Sequence, residues 1–382
     1  MVYFDNAATT FPKPEEVYKF TDKFYRECGV NVGRGQHKLS SKASFLVAET
    51  RKLLLELNYC PSKKVVFTST ATEALNIVLQ GIEIKDNFNI YITPFEHNAV
   101  TRILHHLNKT IKFNVKQLEF DKDIWQYDIP KIEKQFQDNA PDIVIISHAS
   151  NVCGVIAPVK KVTQISKKYN AINIIDMAQT MGLLDTNLNG NDIDFAVFAG
   201  HKTLYSPIGV GGFICNENPK IKPLIFGGTG FESANFDLPE TIPERFEAGS
   251  QNIMAIAGLN ASLKWINSIK ISKIYQIEKK HHSRLLDILK KFNNIKLISP
   301  TNALNSIGVV SCVFDNYSSD NIGQVLSDND IAVRTGLHCS PNAHKFLETF
   351  PQGTVRFSVG YFNNDYDFEM LEKALEYIYE NG

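Results

Sequence analysis

Asp194-Phe195-Ala196-Val197-Phe198-Ala199-Gly200-His201-Lys202 is an apolar run that leaves a carboxylate behind and runs out into a glycine, a histidine and a lysine. Consecutive apolar residues at 195–199 read as a strand buried on both faces, the kind that parallel sheets contain. A lysine at the end of such a strand is costly unless its amine has a use, and desolvation lowers an amine towards the neutral nucleophile that condenses with an aldehyde. A solvated strand-end lysine explains the same residues, and here both readings stand. Outward from this run, apolar segments at residues 65–68, 90–92, 143–146 and 172–175 alternate with amphipathic stretches at 39–57, 71–80 and 159–169, the last with Asn170 as its C-cap. The alternation predicts an α/β fold, a mostly parallel sheet sandwiched by helices. Beyond Asn252 the texture changes to one long Lys-rich helix over 255–292, short strands near 295–297 and 309–314, and a closing helix over 365–379. These predict a large domain over residues 15–252 and a smaller α+β domain from residues 1–14 and 253–382, with no repeat or linker.

Two other strand ends carry polar groups. Ile174-Ile175-Asp176-Met177-Ala178-Gln179 puts a carboxylate at the C-terminal edge of a strand, where open parallel sheets bind ligands. An anion there suits the ring nitrogen of pyridoxal phosphate (PLP), with Gln179 donating to its phenolic oxygen; an Asp after a strand is equally a helix N-cap. Phe67-Thr68-Ser69-Thr70-Ala71-Thr72-Glu73-Ala74 opens directly into a helix, whose first-turn N–H groups and dipole make a phosphate seat. It also fits a capping box from Thr70 to Glu73. Neither a P-loop nor a strand-linked G-x-G-x-x-G is present, which disfavours a nucleotide.

Composition narrows the class. With 382 residues, 43% of them hydrophobic, the chain can bury a core for two domains. Forty basic against forty-one acidic residues, a net charge of -1, leave no electrostatic footprint for nucleic acid or an anionic membrane. Six cysteines without a C-x-x-C pair read as reduced thiols, and neither a signal peptide nor an apolar run of spanning length is seen, so a cytoplasmic location is expected.

Phosphate seat, ring-nitrogen acid and amine lysine occur in that order, each at a strand end. Here the chain resembles the class V branch of fold-type I PLP enzymes, closest to cysteine desulfurases and selenocysteine lyases of the second group. The resemblance runs through Tyr3-Phe4-Asp5-Asn6-Ala7-Ala8-Thr9-Thr10, Gly33-Arg34-Gly35-Gln36-His37, Glu96-His97-Asn98-Ala99-Val100, His148-Ala149-Ser150-Asn151-Val152-Cys153-Gly154 and Phe246-Glu247-Ala248-Gly249-Ser250-Gln251-Asn252. It implies Lys202 as the Schiff-base lysine, Asp176 at the pyridine nitrogen, and Gln179 with Asn151 near the phenolic oxygen. It further implies His97 stacked on the ring, Ala71 and Thr72 at the phosphate, His201 beside the lysine, and Ser250 reaching the phosphate of a neighbouring subunit in a homodimer. Where the family has Ser or Thr, this chain has Ala199, so one phosphate hydrogen bond is missing or replaced.

The segment Arg334-Thr335-Gly336-Leu337-His338-Cys339-Ser340-Pro341 separates a desulfurase from a transaminase. A cysteine is ordinarily a small buried hydrophobe, the reading given to the other five. Cys339 lies in a Gly/Pro-bounded loop beside His338 and near Arg334, surroundings that favour a thiolate, and the resemblance makes it the residue that takes sulfur as a persulfide. Leu337 stands where that group commonly has His. Arg334 and Arg356 match the arginines that bind the substrate carboxylate, Asn151 beside them; Arg356, inside an apolar strand pattern, needs a partner. His338, Cys339 and His344 lack a fourth metal ligand at a familiar spacing, so no metal is expected. His105-His106 and His281-His282 read as solvated helix faces. The resemblance thus implies a PLP-dependent enzyme acting on cysteine or selenocysteine, mobilising sulfur for purposes such as iron-sulfur cluster assembly, with a protein acceptor for the sulfur or selenium. A class V aminotransferase or kynureninase-like lyase, sharing Lys202 and Asp176 but not needing Cys339, is the rival. So is a PLP-fold protein retired to binding.

Overall fold

A computed structural model describes all residues except 34, 36, 231–233 and 382. Arg34 and Gln36 of the Gly-Arg-Gly-Gln-His motif therefore lie outside the described residues. The chain starts with β1 (Val2–Tyr3), α1 (Glu15–Cys28) and α2 (Lys38–Leu57), then enters β2 (Lys64–Thr68), α3 (Ala71–Gly81), β3 (Asn89–Ile92), α4 (Asn98–Leu107) and β4 (Asn114–Gln117). A small hairpin, β5 (Phe120–Asp121) and β6 (Gln126–Tyr127), precedes α5 (Ile129–Asp138), β7 (Ile143–Ser147), α6 (Val159–Lys167), β8 (Ile172–Asp176), β9 (Phe195–Ala199) and β10 (Gly211–Cys215). The remainder is α7 (Ile253–Ile269), α8 (Ile271–Leu289), β11 (Ile295–Leu297), β12 (Val309–Phe314), α9 (Ser319–Asp328), β13 (Ile331–Ala332), β14 (Arg334–Gly336), α10 (Pro341–Phe346), β15 (Thr354–Ser358) and α11 (Asp365–Glu380).

Seven strands form one sheet in the order β2-β10-β9-β8-β7-β3-β4, parallel throughout except for β10, which runs antiparallel to both neighbours. Apart from the exposed edge strand β4, its strands are buried on both faces: Val144, Ile146, Ala196 and Phe198 face one core while Ile143, Ile145, Phe195 and Val197 face another. That is why they read as continuous apolar runs rather than alternating ones. A third core, from Val2 and Phe4 through Leu285 to Ile378, lies against a four-stranded antiparallel sheet, β11-β12-β15-β14.

Two local expectations are corrected. The long helix over 255–292 is two helices, broken at Lys270, whose backbone takes φ 76°. Its first part is buried over most of its circumference and packs in the large core, with Lys264 at its exposed side, while the second is amphipathic. Gly211 and Gly212 open β10. A Cβ on Gly211 would stand 2.7 Å from the Thr70 carbonyl carbon, so glycine lets the first turn of α3 rest on this strand. His282 is not on a solvated face: it is buried on the inner stripe of α8 with Leu285, Leu286 and Leu289, and neither ring nitrogen has a partner. His105 and His106 are exposed. Asn170 does adopt φ 60°, two residues beyond the C-cap of α6.

Among the described residues no helix is long and apolar enough to cross a membrane.

Candidate active site

The C-terminal ends of β2, β3, β7, β8 and β9 all open onto one cavity of about 270 Å³. Its wall carries Lys202, Asp176, His97, Asn151, Gln179, His201, Ala71, Thr72, Arg334 and Arg356, groups spread over 286 sequence positions that the topology brings together. Ser250 is absent from this wall; it is exposed and borders a second, smaller cavity with Ser69 and Glu73.

Each group is placed by its element. Burial pulls the Lys202 ammonium down from 10.5 to about 8 against the attraction of Asp176. Asp176, 9% exposed, has its carboxyl raised by burial, with the Ala178 N–H at 2.9 Å and Lys202 pulling the other way. The segment after Asp176 is a turn, not a helix, so the carboxylate closes that turn while facing the cavity. Thr70 caps α3 by accepting from Glu73 N at 3.1 Å, and Glu73 reaches back to the N–H of Ser69 at 2.8 Å. With Thr70 acting on Glu73, the N–H groups of Ala71 and Thr72 have no intrahelical acceptor, and they sit at the cavity wall. His97 caps α4, its Nδ1 accepting from Ala99 N at 3.0 Å, and burial together with Lys202 lowers it to about 4, so the ring is neutral. One residue thus both starts α4 and stands at the cavity wall. His201, likewise lowered to about 4 by burial and Lys202, keeps Nδ1 buried without a partner.

The two amides assigned to a phenolic oxygen are at the wall, yet each already uses one hydrogen on the protein. Gln179 Nε2 donates to Ala7 O at 2.9 Å, and Asn151 Nδ2 donates to His338 O at 2.7 Å. Ala199, 4% exposed, lies at the wall with no hydroxyl to offer.

Arg334 and Arg356 converge because β14 and β15 pair antiparallel with these two residues directly opposed. Like charges facing across strands destabilise a sheet unless an anion or carboxylate lies with them. One such group is Asp5, whose Oδ1 accepts from Arg356 Nη2 at 2.7 Å; Arg356 Nη1 donates to Asn151 O at 2.9 Å, and Nε has no partner. Arg356, 1% exposed, thus meets the expectation that it needs a partner. Arg334 Nη2 lies 3.5 Å from Cys339 Sγ. Cys339 is exposed and the other five cysteines are buried. His338, next to it in sequence, turns inward: Nε2 meets Thr354 Oγ1 at 2.9 Å, and burial with Arg356 holds the ring far below its usual range. The positive charge at Cys339 therefore comes from Arg334, not from His338. Among the described residues no three His, Cys, Asp or Glu are grouped to hold a metal ion.

Sequence reasoning gave no role to Asp5, Lys13 or Glu96. Lys13 Nζ donates to His201 O at 2.6 Å and Thr10 Oγ1 at 2.7 Å, tying the first segment to the Lys202 turn. Glu96 is fully buried, its carboxyl receiving Thr93 Oγ1 at 2.6 Å, Ser147 N at 2.7 Å and Ser147 Oγ at 2.8 Å. A charged residue inside an apolar pattern was the available signal for Glu96 and Asp5. Burial raises Glu96 from 4.5 to about 7. Between those values the folded protein holds a proton the unfolded chain has released, so Glu96 lowers stability as pH rises through that window. Urea unfolding from pH 4.5 to 7 should show a decline on the order of 1–3 kcal/mol that is missing in Glu96→Gln; parallel pH profiles for the two proteins would contradict it.

The sequence profile described as aminotransferase class-V matches residues 2–371. A probable cysteine desulfurase of Pyrococcus abyssi is 33% identical, covering 98% of this chain and 94% of that protein. One of Methanothermobacter thermautotrophicus is 29% identical over 99% of this chain and 94% of its own length. The apo structure of cysteine desulfurase from Thermococcus onnurineus NA1 superposes with a TM-score of 0.92 at 30% identity, covering 100% of this chain and 95% of that one. With a profile spanning nearly its whole length and a strand-end cavity walled by lysine, aspartate and paired arginines, this chain belongs to the class-V aminotransferase family.

Proposed function

We propose that the protein is a pyridoxal phosphate-dependent cysteine desulfurase that converts cysteine to alanine and holds the sulfur as a persulfide on Cys339. The observation that carries this reading is Cys339 itself, the one exposed cysteine of the six, set against Arg334 at the edge of a cavity that contains Lys202 and Asp176.

The residues present fit the cofactor. The free first-turn N–H groups of α3 and the orphaned His201 Nδ1 offer donors to a phosphate, Asp176 offers an anion to a ring nitrogen, and neutral His97 offers a flat face. His201 Nδ1 is our candidate for the hydrogen bond that Ala199 cannot make. Bound there, pyridoxal phosphate supplies an aldehyde for amine condensation and an electron sink for charge at the substrate Cα. Lys202, poised near neutrality, takes the Cα proton. Arg356 and Arg334 hold the substrate carboxylate between their opposed side chains. The Cys339 thiolate attacks the substrate sulfur: an S–S bond forms on the protein, the C–S bond breaks, and its electron pair stays with the three-carbon skeleton, which is protonated to alanine. The two electrons that the sulfur gives up reduce the substrate Cβ to a methyl group, so neither an outside oxidant nor an outside reductant enters the step. Exposed Ser250, outside its own cavity, is read as completing the phosphate site of a second copy, which makes the active form a homodimer.

Incubating the purified protein separately with cysteine and selenocysteine, and assaying alanine with sulfide or selenide, tests the reading. Stoichiometric alanine from cysteine is expected. Amino-group transfer to an oxo acid without sulfide would assign a transaminase instead, and a colourless protein inert to both would assign a binding role.

A further inference from the structure

His338 and Cys339 are consecutive non-glycine residues in the left-handed region, at φ 47° and 58°, shortly after Gly336 at φ 88°. A side chain bearing a β-carbon disfavours that backbone, which persists only where the surroundings over-determine it. Three groups do so. Cys339 O accepts from Asn98 N at 2.7 Å, and His338 Nε2 meets Thr354 Oγ1 at 2.9 Å. The third is Asn151, which grips the turn from both sides: Nδ2 donates to His338 O at 2.7 Å, and Oδ1 accepts from Ser340 Oγ at 2.9 Å. The backbone carbonyl of the same residue accepts from Arg356 Nη1 at 2.9 Å. Asn151 is 8% exposed and stands at the cavity wall, whereas Ser340 is fully buried and does not border the cavity.

We propose that Asn151 is a positioning residue for the sulfur nucleophile, its amide latching the residues on either side of Cys339 and so fixing Sγ relative to Arg356. The inference rests on the desulfurase reading above and deepens it. Asparagine suits the post because it offers a donor and an acceptor at once; aspartate would set a negative oxygen against the His338 carbonyl. One amide hydrogen of Asn151 remains for the cavity, so a single side chain registers the nucleophile loop to whatever the cavity holds.

Ser340→Ala removes one arm of the latch without touching the cavity, and Ser340→Thr keeps the hydroxyl. Alanine formation from cysteine and hydrogen exchange of the amides at 337–340 are measured on the full chain for the parent and both variants. Ser340→Ala should lower kcat by roughly 10-fold to 10²-fold, since a misplacement of about 1 Å costs that much. KM and the visible cofactor spectrum should stay within about twofold, with faster exchange confined to 337–340. Ser340→Thr should return both readouts to the parent values. Unchanged kcat in Ser340→Ala, with or without faster exchange, overturns the proposal, as does an equal loss in Ser340→Thr. If the parent makes no alanine at all, the desulfurase reading fails separately; the exchange measurement then supports the latch by a rise at 337–340 and overturns it by none.

Discussion

Cys339→Ser should form alanine from cysteine roughly 10³-fold more slowly than the parent, or not at all, while folding normally and keeping its cofactor colour. The exchange of sulfur for oxygen changes little volume at an exposed position, so stability should move by no more than about 0.5 kcal/mol. What is lost is the soft nucleophile that accepts sulfur beside the Arg334 guanidinium. Mass analysis of the peptide carrying residue 339 should find one added sulfur in the parent after brief exposure to cysteine, and none in the variant. Selenocysteine should retain more turnover than cysteine, because a selenol leaves more readily without thiol attack. An aminotransferase would keep nearly its full rate after the same change. Desulfuration by Cys339→Ser at the parent rate would remove Cys339 from the reaction.

Lys202→Ala should cost roughly 10²–10⁴-fold in turnover, the usual worth of a positioned general base. The cavity already holds this amine near neutrality, at about 8, so substitution removes a group prepared for proton transfer rather than a surface charge. Cofactor should still bind, weakly and reversibly, through the first turn of α3 and Asp176. Borohydride treatment followed by peptide mapping should place a covalent label on Lys202 in the parent and nowhere in the variant. A label on another lysine would sink the assignment, whatever the turnover.

Why so much of the site could be read beforehand is a matter of locality. Lys202, Asp176 and the Thr70 helix start each sit within a few residues of an apolar run, and the run marks the strand whose end they occupy. The pairing of Arg334 with Arg356 is different in kind, since it depends on the register of two short strands that no local pattern specifies. Asp5 finds Arg356 across 351 positions for the same reason. His338 misleads because adjacency in sequence suggests a partner for Cys339, whereas a left-handed backbone sends its ring inward to Thr354. Nothing local marks the break at Lys270, because Ile266, Ile269 and Ile271 carry apolar residues across it. The burial of His282 is legible in retrospect from its place on the same stripe as Leu285 and Leu289.

The opening segment also dictates an order of events in synthesis. Val2 and Tyr3 pair with Ile331 and Ala332, Asp5 meets Arg356, and Lys13 clasps the carbonyl of His201. Residues 2–5 leave the ribosome long before residues 331–358, so for most of translation their partners have not been made, although residues 7–13 can already meet Gln179 and His201. The seven-stranded sheet can assemble first, with Lys202 and Asp176 in place but the roof of the cavity missing. Closing loops of such sequence separation is slow, which makes the lacing of this segment the late step of maturation. A nascent chain halted before residue 331 would carry Lys202 without the side of its cavity that Arg334, His338 and Arg356 form.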